Sequence, residues 1–171
     1  MPKLNVVLRK EDLDPSLVFD KVVVVIDVLF ATSSIAAVLH HGAAAVHPFA
    51  SCDIALRAAA GMEKDSFLLA GEHNLKRIEG FAGYSPLALT KLPLRDKQLL
   101  YSTTNGTWAL SKASGAERIY TAALVNATAI ATQLLDHREQ TIVLLCAGAA
   151  GRVNLEDVFA AGYLIEQLEE A

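Results

Sequence analysis

Short apolar runs alternate along the chain with turns rich in glycine, serine and threonine. Val22-Val23-Val24-Val25-Ile26 is unbroken and β-branched. Such a run is too short for a buried helix and typical of a strand covered on both faces, as in a parallel sheet. Thr32-Ser33-Ser34 then offers capping hydroxyls for a helix through Ile35-Ala36-Ala37-Val38-Leu39, and Gly42 is placed to end it. The alternation recurs as a strand over 44–48, a helix over 54–59 capped by Ser51, and a strand over 67–70. Further strands are predicted over 98–102, 118–121 and 141–146, with helices near 107–112, 127–135 and 155–168, the last capped by Asn154. Strands alternating with helices at this spacing predict an α/β fold. The expected form is a largely parallel sheet with helices on both faces, three layers α/β/α, because right-handed crossovers must wind over the sheet.

Ligands of such sheets gather outside the carboxyl ends of the strands. Here those are the turns after Asp27, Ala70, Ser102 and Cys146. Residues 71–86, from Gly71-Glu72-His73-Asn74 to Ser85-Pro86, read as one long polar loop and so as a site candidate.

Composition narrows the function. With 171 residues the chain has single-domain length, so one α/β domain over 1–171 is expected. No apolar run approaches the roughly 18 residues that a membrane span needs. Met1-Pro2-Lys3-Leu4-Asn5 lacks the features of a secretory signal. The two cysteines, Cys52 and Cys146, show neither zinc spacing nor a disulfide framework. A cytoplasmic location follows as the expectation. The net charge of −4, without a lysine or arginine block, lacks the footprint of a nucleic-acid or acidic-membrane binder and favours a small-molecule partner. A homodimer is a further expectation.

Thr103-Thr104-Asn105-Gly106-Thr107 joins a strand to a helix. It is either a phosphate cradle, with hydroxyls and N–H groups at a helix N-terminus, or an ordinary Asn-Gly turn with a threonine cap. Cys146-Ala147-Gly148-Ala149-Ala150-Gly151-Arg152 has the Cys-x5-Arg spacing of cysteine phosphatases. The alternative is a buried strand-end cysteine, and Arg152 remains an anion donor in either case. Asp27, ending the most apolar strand, either binds a metal or fixes its loop by accepting N–H bonds. Glu156-Asp157 in the first turn of the last helix suits a magnesium site or the helix dipole. Glu72, Lys76, Arg77 and Glu79 are either substrate contacts or solvated charges.

Taken in order, these segments resemble the 2-phosphosulfolactate phosphatase family. The stretches that carry the resemblance are Val25-Ile26-Asp27-Val28-Leu29 with Ala31-Thr32-Ser33, then Leu69-Ala70-Gly71-Glu72, and then Glu79-Gly80-Phe81 with Ser85-Pro86-Leu87. Thr103 to Thr107 follow, then Cys146-Ala147-Gly148 with Gly151, Leu155-Glu156-Asp157 and Ala161-Gly162. The resemblance implies a Mg²⁺-dependent hydrolase that removes phosphate from 2-phospho-3-sulfolactate, a step of coenzyme M biosynthesis. A non-catalytic anion-binding homologue is the alternative. The resemblance also implies a further C-terminal segment beyond Ala171.

Asp27, Cys146 and Glu156 are then the catalytic candidates. Asp27, Glu72 and Asp157 are the metal candidates. Thr32, Ser33, Lys76, Thr103, Thr104, Asn105, Gly106, Thr107, Gly148 and Arg152 are the candidates for binding substrate or phosphate. Three positions depart from the family pattern: Phe30 replaces arginine, His73-Asn74 interrupts a Gly-Glu-Arg-Gly-Gly stretch, and Tyr84 replaces asparagine.

Overall fold

The computed structural model describes residues 3–170; Met1, Pro2 and Ala171, the ends of the expected domain, lie outside the described residues. In chain order the strands are β1 (Lys3–Val7), β2 (Val22–Ile26), β3 (Ala45–Phe49), β4 (Phe67–His73), β5 (Lys76–Arg77), β6 (Gln98–Ser102), β7 (Arg118–Ala122) and β8 (Thr141–Cys146). The helices are α1 (Ala31–His40), α2 (Cys52–Ala59), α3 (Pro86–Leu89), α4 (Gly106–Lys112), α5 (Ala127–Leu134) and α6 (Leu155–Glu170). The α/β class is as expected, and every strand pair is parallel except β4 with β5.

The strands divide into two sheets rather than one, in the orders β1-β8-β2-β7 and β3-β6-β4-β5. Two helices cause the division: α1 leaves the first sheet and delivers the chain to the second, and α4 makes the return. The pattern of apolar residues along each strand reports burial on both faces but says nothing of which strand lies alongside, so this partition was not legible in sequence.

Alternation along β2 shows how the cores are built. Val23 and Val25 join a central core with Ile35 of α1, Ala109 of α4 and Leu99 and Tyr101 of β6. Val22, Val24 and Ile26 point the other way, into a core with α5 and α6. All five β2 side chains are fully buried, each contributing about 1.5–3 kcal/mol. Both α1 and α4 therefore pack in one core with a face of each sheet, and their N-termini meet at the carboxyl ends of β2 and β6.

The expected capping of α1 by Thr32, Ser33 and Ser34 is corrected. The helix begins at Ala31, with Phe30 at the cap position, and the three hydroxyls bond to Asp27, Val28 and Tyr84 instead. Residues 71–86 are also more ordered than expected. The strand β4 runs on to His73 and pairs with β5 as a hairpin, Glu72 opposite Arg77, and α3 starts at Pro86. The turn between the two strands needs a left-handed backbone at Asn74 and Leu75 (φ 51° and 63°). Asparagine tolerates that conformation better than leucine does, and the tip is pinned from outside by Asn74 N donating to Thr104 Oγ1 at 2.8 Å. No helix among the described residues is long and apolar enough to cross a membrane.

Candidate active site

Asp27 is the residue at which β2 stops and the turn into α1 begins. Its main-chain N–H donates to Thr32 Oγ1 at 2.9 Å, and that hydroxyl donates back to Asp27 O at 2.8 Å, closing the turn. Asp27 is 4 % exposed, and its carboxylate faces the main-chain N–H groups of Ala31 and Gly106, the first residues of α1 and α4. Glycine at 106 is required by this approach: a Cβ there would collide with Asp27 Oδ2 and Ala31 Cβ. Burial, reinforced by the neighbouring charges of Asp157 and Glu72, pushes the Asp27 carboxyl up to about 7, while the two N–H donors pull it the other way.

Asp157 and Glu72 flank Asp27 from different elements. Asp157, in the first turn of α6 and fully buried, accepts Val28 N at 2.9 Å through Oδ1 and Gly148 N at 3.2 Å through Oδ2. It thereby ties the turn after β2 to the one after β8. Its carboxyl is raised by burial, and Glu156 adds to the shift. Gly148 takes a left-handed backbone (φ +61°), and a Cβ there would lie 2.5 Å from Arg152 O. Glu72, 6 % exposed on β4, accepts Thr104 N and Leu75 N, each at 2.6 Å, and the Thr104 hydroxyl at 3.1 Å.

The turn after β6 repeats the construction of the turn after β2. Thr103 N donates to Thr107 Oγ1 at 2.9 Å, and that hydroxyl donates to Thr103 O at 2.9 Å. Asn105 stands at the cap position of α4 without capping it; its Oδ1 accepts Lys10 Nζ at 3.0 Å. Lys10, 3 % exposed, was missed in sequence because a single lysine ahead of an acidic pair reads as a solvated charge. No local signal distinguishes it.

The other candidates differ in burial and in contacts. Cys146 is fully buried and packs with α5 and α6; burial, with Asp157 adding, pushes its thiol up to about 12. A nucleophilic cysteine needs the opposite shift, so the environment is that of a packing residue. Lys76, Arg77 and Arg152 are exposed. Ser33 Oγ donates to Val28 O at 2.8 Å and so braces the β2–α1 turn. Among the described residues no three His, Cys, Asp or Glu side chains come together as a metal cluster. Asp27, Glu72 and Asp157 therefore form no ready three-carboxylate cage. The oxygen-only donor set does match a magnesium ion held by one or two carboxylates, with water and phosphate oxygens completing its shell.

A buried carboxylate raised to about 7, at the junction of two helix starts on the carboxyl-end loops of parallel strands, defines an α/β protein with a buried acidic centre. The 2-phosphosulpholactate phosphatase family model matches residues 7–171, and the chain belongs to that family of phosphoric monoester hydrolases. Proteins named as probable 2-phosphosulfolactate phosphatases are similar to it. That of Clostridium beijerinckii is 34 % identical over 167 residues, covering 97 % of this chain and 70 % of the relative. That of Synechococcus sp. is 43 % identical over 148 residues, covering 86 % and 60 %. That of Caldanaerobacter subterraneus is 38 % identical over 151 residues, covering 88 % and 62 %. The chain thus spans 60 % to 70 % of the length of these relatives.

Proposed function

We propose that this chain is a Mg²⁺-dependent phosphatase acting on a compact phosphorylated acid of the 2-phospho-3-sulfolactate kind, as in coenzyme M biosynthesis. The observation that carries the reading is the convergence of the first turns of α1 and α4 on the buried Asp27. The N–H groups at two helix starts favour negative charge at that point. Asp27, with a carboxyl near 7, suits proton transfer at neutral pH and either takes a proton from attacking water or returns one to the leaving alkoxide. Glu72 holds the β6–α4 turn in place through Thr104, and Asp157 holds the β8–α6 turn through Gly148. Either Glu72 or Asp157 would hold the cation while Asp27 moves the proton, or Asp27 would itself be a ligand and stay ionised; the cation would polarise phosphoryl oxygens and lower the pKa of bound water.

One observation favours a changed substrate within the same reaction. Phe30 and Tyr84, two of the departures from the family pattern, touch edge to face with ring centroids 5.6 Å apart. Tyr84 also donates its hydroxyl to Leu75 O at 3.0 Å, linking the β2–α1 turn to the hairpin tip. An aromatic pair in place of an arginine favours a less charged group at that end of the substrate. The test is phosphate release from 2-phospho-3-sulfolactate and from analogues with a neutral group in place of the sulfonate. Activity lost in EDTA and restored by Mg²⁺ supports the reading. A folded protein that binds these acids without turning them over overturns it in favour of a binding homologue.

A further inference from the structure

We propose that Lys10 is a positioning residue of this site, a buried ammonium that sets Asn105 and the β6–α4 turn against Asp27. The inference rests on the phosphatase reading above. Lysine is almost never fully buried unless paired, yet Lys10 is 3 % exposed. Its Nζ has three N–H donors and meets three acceptors: Glu11 Oε1 at 3.0 Å, Asn105 Oδ1 at 3.0 Å and Ala147 O at 3.2 Å. With every donor committed to the protein, the ammonium acts through Asn105 rather than on substrate. Asn105 adjoins Gly106, whose N–H reaches the Asp27 carboxylate.

The segment around Lys10 is built as a strap between two site turns. Its main-chain N–H also donates to Ala147 O, at 3.3 Å, just beyond β8. Arg9 donates to Gly151 O at 2.7 Å in the same β8–α6 turn. On the other side Lys112 Nζ, from the last turn of α4, donates to Lys10 O at 2.7 Å. Both ammonium groups lie near the Trp108 ring, 5.9 Å and 5.4 Å from its centroid. A strap that served stability alone would do as well with an apolar side chain of similar volume, because burying a charge is costly. Two of the three polar contacts, to Ala147 O just after β8 and to Asn105 Oδ1 just before α4, hold those turns in register.

The experiment is a double-mutant cycle of Lys10→Met and Asn105→Ala, with Lys10→Arg as the conservative variant. It reads kcat, KM, melting temperature and the affinity for inorganic phosphate in Mg²⁺. Each single change is expected to lower kcat/KM by about tenfold or more, and the double variant to be little worse than either. Lys10→Arg is expected to recover part of the loss. Single variants that stay within about twofold of wild type, or losses that multiply in the double variant, overturn the proposal. Should Lys10→Met fail to fold, Lys10→Arg and Asn105→Ala decide by the same thresholds. If the wild type turns over no phosphorylated acid, the phosphatase reading fails by itself. Phosphate affinity then tests Lys10: about tenfold weaker binding in the variants supports it, and unchanged binding, or none by the wild type, overturns it.

Discussion

The turns after β2 and β6 share one scaffold and carry opposite chemistry. In each, a threonine hydroxyl early in the following helix bonds both the N–H and the carbonyl of the residue that ends the strand, Thr32 to Asp27 and Thr107 to Thr103. The first turn places a carboxylate on that scaffold. The second places a hydroxyl and offers its donors outward, with Thr104 N on Glu72 and Gly106 N on Asp27. The difference shows how the candidate site is divided. The β2 turn supplies a carboxylate that can manage a proton or a cation, and the β6 turn supplies N–H groups to that carboxylate and to Glu72 of its own sheet.

The largest way to break the comparison is to neutralise the charged turn. Asp27→Asn is expected to lower kcat by about 10²–10⁴-fold, the range for losing a general acid or base. The same variant tests the raised pKa. The folded-state carboxyl, near 7, lies above the usual 3.8, so the folded protein holds the proton more tightly than the unfolded chain. The stability from that proton is complete below about pH 4 and lost as pH rises through about 7. Chemical denaturation in EDTA at pH 8 should therefore find Asp27→Asn more stable than wild type, by on the order of 2–4 kcal/mol. The gap should close near pH 4. No gap at pH 8 would mean that Asp27 is ionised without strain.

Removing the shared scaffold comes next. Thr32→Val and Thr107→Val each leave a buried N–H of the strand-ending residue without its hydroxyl partner, at a cost of about 1–3 kcal/mol. Similar losses in both variants are expected from urea denaturation, and a loss confined to one would show that the turns are alike in outline only. Smaller is the effect of Phe30→Arg. It is expected to shift the kcat/KM ratio toward the sulfonate-bearing acid by about tenfold, roughly one charge-assisted hydrogen bond, read by competing it against an analogue with a neutral group there. The smallest concerns the cysteine beside the acidic turn. Cys146→Ala should keep activity within about twofold and cost about 1–2 kcal/mol of stability, as loss of a small buried side chain does. Complete inactivation of a folded Cys146→Ala protein would restore the thiolate reading.

Six of the eight described strands and most helices were legible because local pattern decides them: β2, β6 and β8 have the bounds that their apolar runs predict, whereas β1 and β5 were not predicted. The turns at Asp27, Thr103–Thr107 and Gly148 were legible as site candidates because unusual residue types interrupt those runs at strand ends. The partition into two sheets was not, since strand pairing is a long-range choice that the periodicity of one segment does not encode.

By itself the amino-acid sequence determined the α/β class, the acidic and hydroxyl-rich turns and the family resemblance, all of which rest on residue type and short-range order. Only the tertiary structure decided that Asp27 meets the N–H of Gly106, some eighty positions away in the chain. Only it set Cys146 into the core with α6 and drew Lys10 into the site. The reason is physical. A carboxyl, a thiol or an ammonium takes its character from desolvation and from the partners that surround it, and those partners are assembled by packing between segments distant in sequence.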